Sequence, residues 1–255
     1  MLFLMTGKST LNFMPNSTVF PMAFSQYSQF LSENKVVKGT KDAEMVKRVG
    51  QRIAKAAQLW LDANGYKGYL DDYRWEYNLV QDKQVNAWCM PGGKIVVYTG
   101  ILPITQTEAG LAVVMGHEVA HALADHGAQR MSASTLQQIG LLAGSVALQS
   151  SKYASLTNEF GLAYGLATQV GVMLPFSRSN ETEADAIGIQ IMAIAGYDPA
   201  EAPELWKRMS AQSGGGSGSA LLSTHPTNES RIRNLTALVP KARAEAAKFG
   251  VTSFQ

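Results

Sequence analysis

The sequence changes its hydrophobic period twice. From Lys41 to Asn64 the apolar residues Met45, Val46, Val49, Ile53, Ala56, Leu59 and Trp60 recur at helical spacing, and Gly65 closes the run. Between Gly68 and Leu102 the pattern alternates instead, with Trp75, Tyr77 and Leu79 set against Glu76 and Asn78. Residues 85–90 and Lys94–Tyr98 then flank the turn signal Pro91-Gly92-Gly93. Thr105 and Glu108 have capping-box spacing and predict a helix start near Gln106. That helix carries Leu111, Val114, Met115 and Val119 inward and is expected to run at least to His126. A chain that passes from helix to strands and back reads as α+β, predominantly helical, with a small antiparallel sheet beside the 106–126 helix.

Further helices are expected from about Asn180 to Gly196, after Asp198-Pro199 with Glu201, and over 230–249, where Pro240 should introduce a kink. The glycine-rich 213–219 stretch reads as a flexible loop or a flap over a site. Segment 131–177 has Lys152 and Glu159 as its only charges. Its apolar runs are poor membrane spans, so a helical hairpin on the core is expected, with membrane proximity as the alternative. The apolar start, Met1 to Met5, is interrupted by Lys8 and Asn12 and does not make an intact secretory signal. The organisation expected is an N-terminal extension over 1–40 and one domain over 41–255.

With 22 Lys+Arg against 20 Asp+Glu, no basic face is large enough to make nucleic acid the main partner. Cys89 is the single cysteine, so no intrachain disulfide can form. Of 4 histidines, His117, His121 and His126 fall within ten residues. His117-Glu118-Val119-Ala120-His121 lies inside the capped helix, where positions four apart share a face and both imidazoles can meet one ion. Glu118, beside the first ligand, can reach a water on the metal without ligating, and is the candidate general base. Chance alone would produce this pattern roughly 0.003 times in such a chain. Zinc suits these donors, because it needs a third protein ligand and keeps the fourth position open for water.

His126 misses the third-ligand position of a metzincin by one residue and suits a helix end. Glu181 and Asp185, four apart in Ser177-Arg178-Ser179-Asn180-Glu181-Thr182-Glu183-Ala184-Asp185, share a helical face, while Glu183 points elsewhere. One of the two carboxylates can bind zinc while its neighbour accepts a hydrogen bond from a ligand imidazole.

His117–His121, the Glu181-to-Asp185 segment with its Ser177-Arg178 lead-in, and Ser223-Thr224-His225-Pro226 together resemble the M48 family of zinc metallopeptidases. The likeness begins near Asn86, runs to about Arg233, and is closest to the compact bacterial envelope subgroup, relatives of the Oma1-type and CAAX-processing proteases. The resemblance implies a gluzincin-like fold, one Zn2+ on His117, His121 and Glu181, Glu118 as general base, and Asp185 behind a ligand. It also implies a metalloendopeptidase acting on misfolded or envelope proteins in the bacterial envelope or periplasm. A lipid anchor would then precede Met1, and a cytoplasmic location stays open. His225 has three readings: an oxyanion donor, a fourth ligand that keeps the enzyme latent, or a plain loop histidine. Lys94–Tyr98 is expected to be an exposed edge that pairs with extended protein or peptide substrates. The competing reading is a latent or inactive zinc-containing binding or chaperone-like protein.

Overall fold

The computed structural model describes residues 14–130, 132, 176–213 and 219–255. The expected hairpin within 131–177 and the 213–219 loop therefore lie almost wholly outside the described residues. The helices are α1 (Asn16–Glu33), α2 (Lys41–Ala63), the short α3 (Leu102–Thr105), α4 (Glu108–Leu123), α5 (Arg178–Ile194), α6 (Glu201–Ser213), α7 (Ala220–Thr224) and α8 (Glu229–Lys248). The strands are β1 (Val36–Val37), β2 (Glu76–Val80), β3 (Ala87–Met90) and β4 (Lys94–Tyr98). The chain is predominantly helical with one small sheet, as the periodicity predicts.

Two features of the sheet differ from expectation. Its order is β1-β2-β4-β3, so Lys94–Tyr98 is a central strand rather than an exposed edge. The sheet is mixed rather than antiparallel, because β2 and β4 run parallel while β3 pairs antiparallel with β4. A peptide cannot add to β4, whose hydrogen-bonding sides are both taken. The physical reason is the unbroken apolar run Ile95-Val96-Val97-Tyr98, which is the signature of a strand covered on both faces. Ile95 and Val97 enter the main core with α2, α4 and α5, whereas Val96 and Tyr98 face a second cluster with Val19, Tyr27 and Phe30 of α1.

Helix α4 also starts and stops differently from its sequence reading. Thr107, not Thr105, caps it, accepting from the Gly110 backbone N–H, while Thr105 closes α3 and Gln106 between them is left-handed at φ 62°. The helix ends at Leu123 instead of reaching His126, because Asp125 adopts φ 54°, a conformation that aspartate tolerates better than most residues. Residues 126–130 are helical again.

The crossing of α4 and α5 positions the site. A Cβ on Gly188 would lie 3.0 Å from the Gly116 backbone, so the two helices approach as closely as glycine alone allows. That approach carries the first turn of α5 to the inner face of α4, one residue beyond Gly116.

Candidate metal centre

Four side chains from three separate segments converge. His117 and His121 come from α4, Glu181 from the first turn of α5, and His225 from the residue that ends α7; all four are buried. The two α4 imidazoles stand four residues apart with their Nε2 atoms 3.1 Å from each other. Ser177 caps α5 through the Asn180 N–H, which starts the helix where Glu181 can turn inward. Glu181 Oε1 is 3.2 Å from His121 Nε2 and 2.9 Å from His225 Nδ1, and Oε2 is 3.4 Å from His117 Nε2. His225 Nδ1 lies 3.3 Å from His117 Nε2. Its helix is pinned by Leu221 N–H donating to the Val85 carbonyl at 3.1 Å and by Phe176 N–H donating to the Thr224 carbonyl at 3.0 Å.

These separations fit a small cation. Four donors about 2.0–2.1 Å from a tetrahedral zinc ion would stand about 3.3 Å apart. Two buried imidazole nitrogens at 3.1 Å also repel unless a proton or an ion lies between them. Glu118 Oε1 is buried without a hydrogen bond, the condition expected of an oxygen that faces a metal-bound water. Charge agrees as well: Glu118, Glu181 and Asp185 face one buried cation, Arg231, which leaves an excess of negative charge when the imidazoles are neutral. A divalent cation would offset it.

Electrostatics in the bare chain reflect that excess. Burial pushes His117 down, but bonds from Asp185 and Glu181 outweigh it and lift the imidazole to about 9. Burial drives His121 the other way, well below the usual histidine range. Burial also raises Glu118, only partly opposed by His225 and His117, which moves the carboxylate towards the basicity a proton acceptor needs. Glu181 is held well below the carboxylate range, because His225, His117 and His121 overcome its burial.

Behind the donors stand two supporting arms. Asp185 Oδ1 accepts from His117 Nδ1 at 3.0 Å, leaving Nε2 for an ion. Asp185 is in turn gripped by Arg231, Nε to Oδ2 at 2.7 Å and Nη2 to Oδ1 at 2.8 Å. On the other side His121 Nδ1 is 2.9 Å from His126 Nδ1, and His126 Nε2 is 3.4 Å from Glu183 Oε2. With His121 Nε2 on an ion, its Nδ1 carries the proton and donates to His126, whose Nε2–H then faces Glu183.

The structure brings together every residue expected at the site: His117, Glu118, His121, Glu181, Asp185 and His225. Sequence reading missed Arg231 and undervalued His126. Arg231 did leave a signal, since it sits four residues before Leu235 on the buried stripe of α8, where an unpaired arginine would be costly. His126 left little, because the break at Ala124–Asp125 that folds it back onto His121 contains no glycine or proline.

Residues 40–239 match Peptidase family M48. The chain belongs to that family. Among its curated M48 relatives, the mitochondrial metalloendopeptidase OMA1 of Schizosaccharomyces pombe is 38% identical over 177 residues, covering 69% of this chain and 50% of the relative. The Saccharomyces cerevisiae OMA1 is 33% identical over 205 residues, 77% of this chain and 56% of that protein. The beta-barrel assembly-enhancing protease of Escherichia coli is 31% identical over 159 residues, 60% of this chain and 32% of that protein. This M48 chain thus spans about half the length of the mitochondrial relatives and about a third of the bacterial one. Among the described residues no helix is long and apolar enough to cross a membrane.

Proposed function

We propose that the chain is a zinc-dependent metalloendopeptidase with His117, His121 and Glu181 as ligands and Glu118 as general base. The observation that carries this reading is the convergence of those three donors beside a buried Glu118 whose Oε1 lacks a hydrogen bond. A zinc ion held there would acidify a water and polarise the scissile carbonyl. Glu118 accepts the proton of the attacking water and delivers it to the leaving amine. Asp185 fixes the tautomer of His117. Burial excludes bulk water and strengthens each of these interactions. Protein or peptide substrates follow from the family; a preference for misfolded or envelope proteins and residence in a bacterial envelope rest on likeness to the relatives. The division into a 1–40 extension and a 41–255 domain belongs to this reading too.

Replacing Glu118→Gln tests it. Peptide cleavage should fall by about 10²–10⁴-fold with bound zinc unchanged on metal analysis. Cleavage retained in a contamination-free preparation would sink the mechanism.

A specific observation favours a second, latent form. His225 Nδ1 stands within 3.3 Å of both His117 Nε2 and Glu181 Oε1, and its Nε2 is 3.4 Å from Glu118 Oε1. An imidazole there takes the fourth position that a water needs. His225→Ala should then raise turnover; loss of turnover would make His225 an oxyanion donor instead.

A further inference from the structure

One cationic side chain ties the carboxylates of α5 to the loop that carries His225. Arg231 is 7% exposed, and its guanidinium meets the His117 ring, with Nη2 3.3 Å from Nε2, as well as the partners that follow. Nε and Nη2 form the fork on Asp185 described above. Nη1 makes an ion pair with Glu181 Oε2 at 2.8 Å, although the angles fall short of a hydrogen bond. The same Nη1 reaches the backbone carbonyls of Pro226 at 3.2 Å and His225 at 3.4 Å. The flat face of the guanidinium lies 3.8 Å from the centre of the Trp206 ring, which fixes its plane.

We propose that Arg231 is a positioning residue that sets how many protein ligands the metal centre has. It turns one oxygen of Glu181 away, leaving the other for the ion, and it holds the 225–226 backbone so that the His225 imidazole stays in the donor set. The inference rests on reading His117, His121 and Glu181 as metal ligands.

Geometry separates this role from simple charge balance. Asp185 alone would satisfy a buried cation, and a lysine could supply the same charge. A planar fork with donors on both edges is what lets one side chain grip a carboxylate and two carbonyls together. Lysine offers no such plane and cannot lie flat on Trp206 while reaching all three. Arg231→Lys should therefore keep the charge and release the loop.

The test is cobalt substitution of the full chain, read by visible absorption. Four-coordinate Co2+ absorbs far more strongly than five- or six-coordinate Co2+. Wild type, with four protein donors, should show the intense bands. His225→Ala should shift those bands to longer wavelength as a water oxygen, a weaker-field donor, replaces an imidazole nitrogen. Arg231→Lys, with His225 intact, should reproduce the His225→Ala spectrum and bind Co2+ about 10–100-fold more weakly in chelator competition. A merely structural arginine would leave the spectrum of the folded, loaded protein unchanged. Wild-type-like bands and affinity in Arg231→Lys overturn the proposal, as do weak bands in the wild type. If circular dichroism shows that Arg231→Lys does not fold, Asp185→Asn replaces it: the guanidinium stays but loses its anchor. An intermediate spectrum is then expected, and an unchanged one overturns the proposal. No Co2+ uptake by the wild type defeats the metal-centre reading instead, so the two failures are distinct.

Discussion

The acids and bases around Arg231 and those where α4 and α6 begin are built from the same chemistry in different surroundings. At the first, Glu118, Glu181, Asp185 and Arg231 are all at most 7% exposed. At the second, Glu108, Asp198, Glu201 and Glu204 line an open recess and pair with Arg48, Arg243, Arg208 and Lys207. Water reaches every one of these pairs and can replace either partner. None of the buried ones can be replaced in this way, so position and charge there are fixed together. The contrast teaches that burial, not the number of charges, separates a site from a decorated surface.

The largest effect that sharpens this contrast should come from Asp185→Ala. Removing it strips Arg231 of its fork and leaves His117 Nδ1 without its acceptor, so the metal-free chain should lose about 3–5 kcal/mol in urea unfolding. Raising the salt to 1 M should not restore it, since a buried charge is poorly screened. A loss below 1 kcal/mol would mean that the pair is not buried in solution.

A smaller effect is expected from His126→Leu, which keeps bulk and removes both ring nitrogens. If His126 fixes the tautomer of His121, zinc affinity should fall about 10–100-fold by chelator competition, with the circular dichroism of the metal-free protein preserved. Unchanged affinity would reduce the His121–His126 contact to packing.

Asp198→Asn should give the smallest change. It keeps the side-chain acceptor for the Ala200 N–H and deletes the charge facing Arg243, a pair in which the two side chains are 40% and 48% exposed. The cost should stay below about 1 kcal/mol and vanish in high salt. Its pH dependence has a definite sign. Burial raises the Asp198 carboxyl, but Arg243 and the Ala200 N–H together outweigh it and hold the group below its ordinary value. A depressed carboxylate stabilises the fold above its unfolded pKa, and the contribution fades as pH falls through the folded value. Wild type and Asp198→Asn should accordingly differ at pH 7 and converge under acid. A difference that grows on acidification would refute the assignment.

Local rules explain why parts of this molecule were legible. Val46, Val49, Ile53 and Trp60 define the buried side of α2 because a helix repeats every 3.6 residues, and the structure buries them all. The same rule put His117 and His121 on one face. It failed where neighbours in space decide. Thr105 stands at capping-box spacing from Glu108 whereas Thr107 directly precedes it, and only the left-handed Gln106 between them selects Thr107. The run Ile95–Tyr98 did carry the mark of a doubly covered strand, but the residues that cover it, Val19, Tyr27 and Phe30 of α1, lie about seventy positions earlier.

The sequence by itself determined the chemistry on offer: two imidazoles one helical turn apart with a carboxylate beside them, and a second helix opening on acids of matching spacing. These depend on i,i+4 geometry, which needs no tertiary contact. Only the folded chain decided which groups share a site. The Gly116–Gly188 contact sets Glu181 against the histidines, the turn at Asp125 returns His126 to His121, and Arg231 binds α5 to the His225 loop. Those pairings join residues from 5 to 72 positions apart, and no local periodicity encodes them; they are fixed by close packing and by the cost of leaving a buried charge alone.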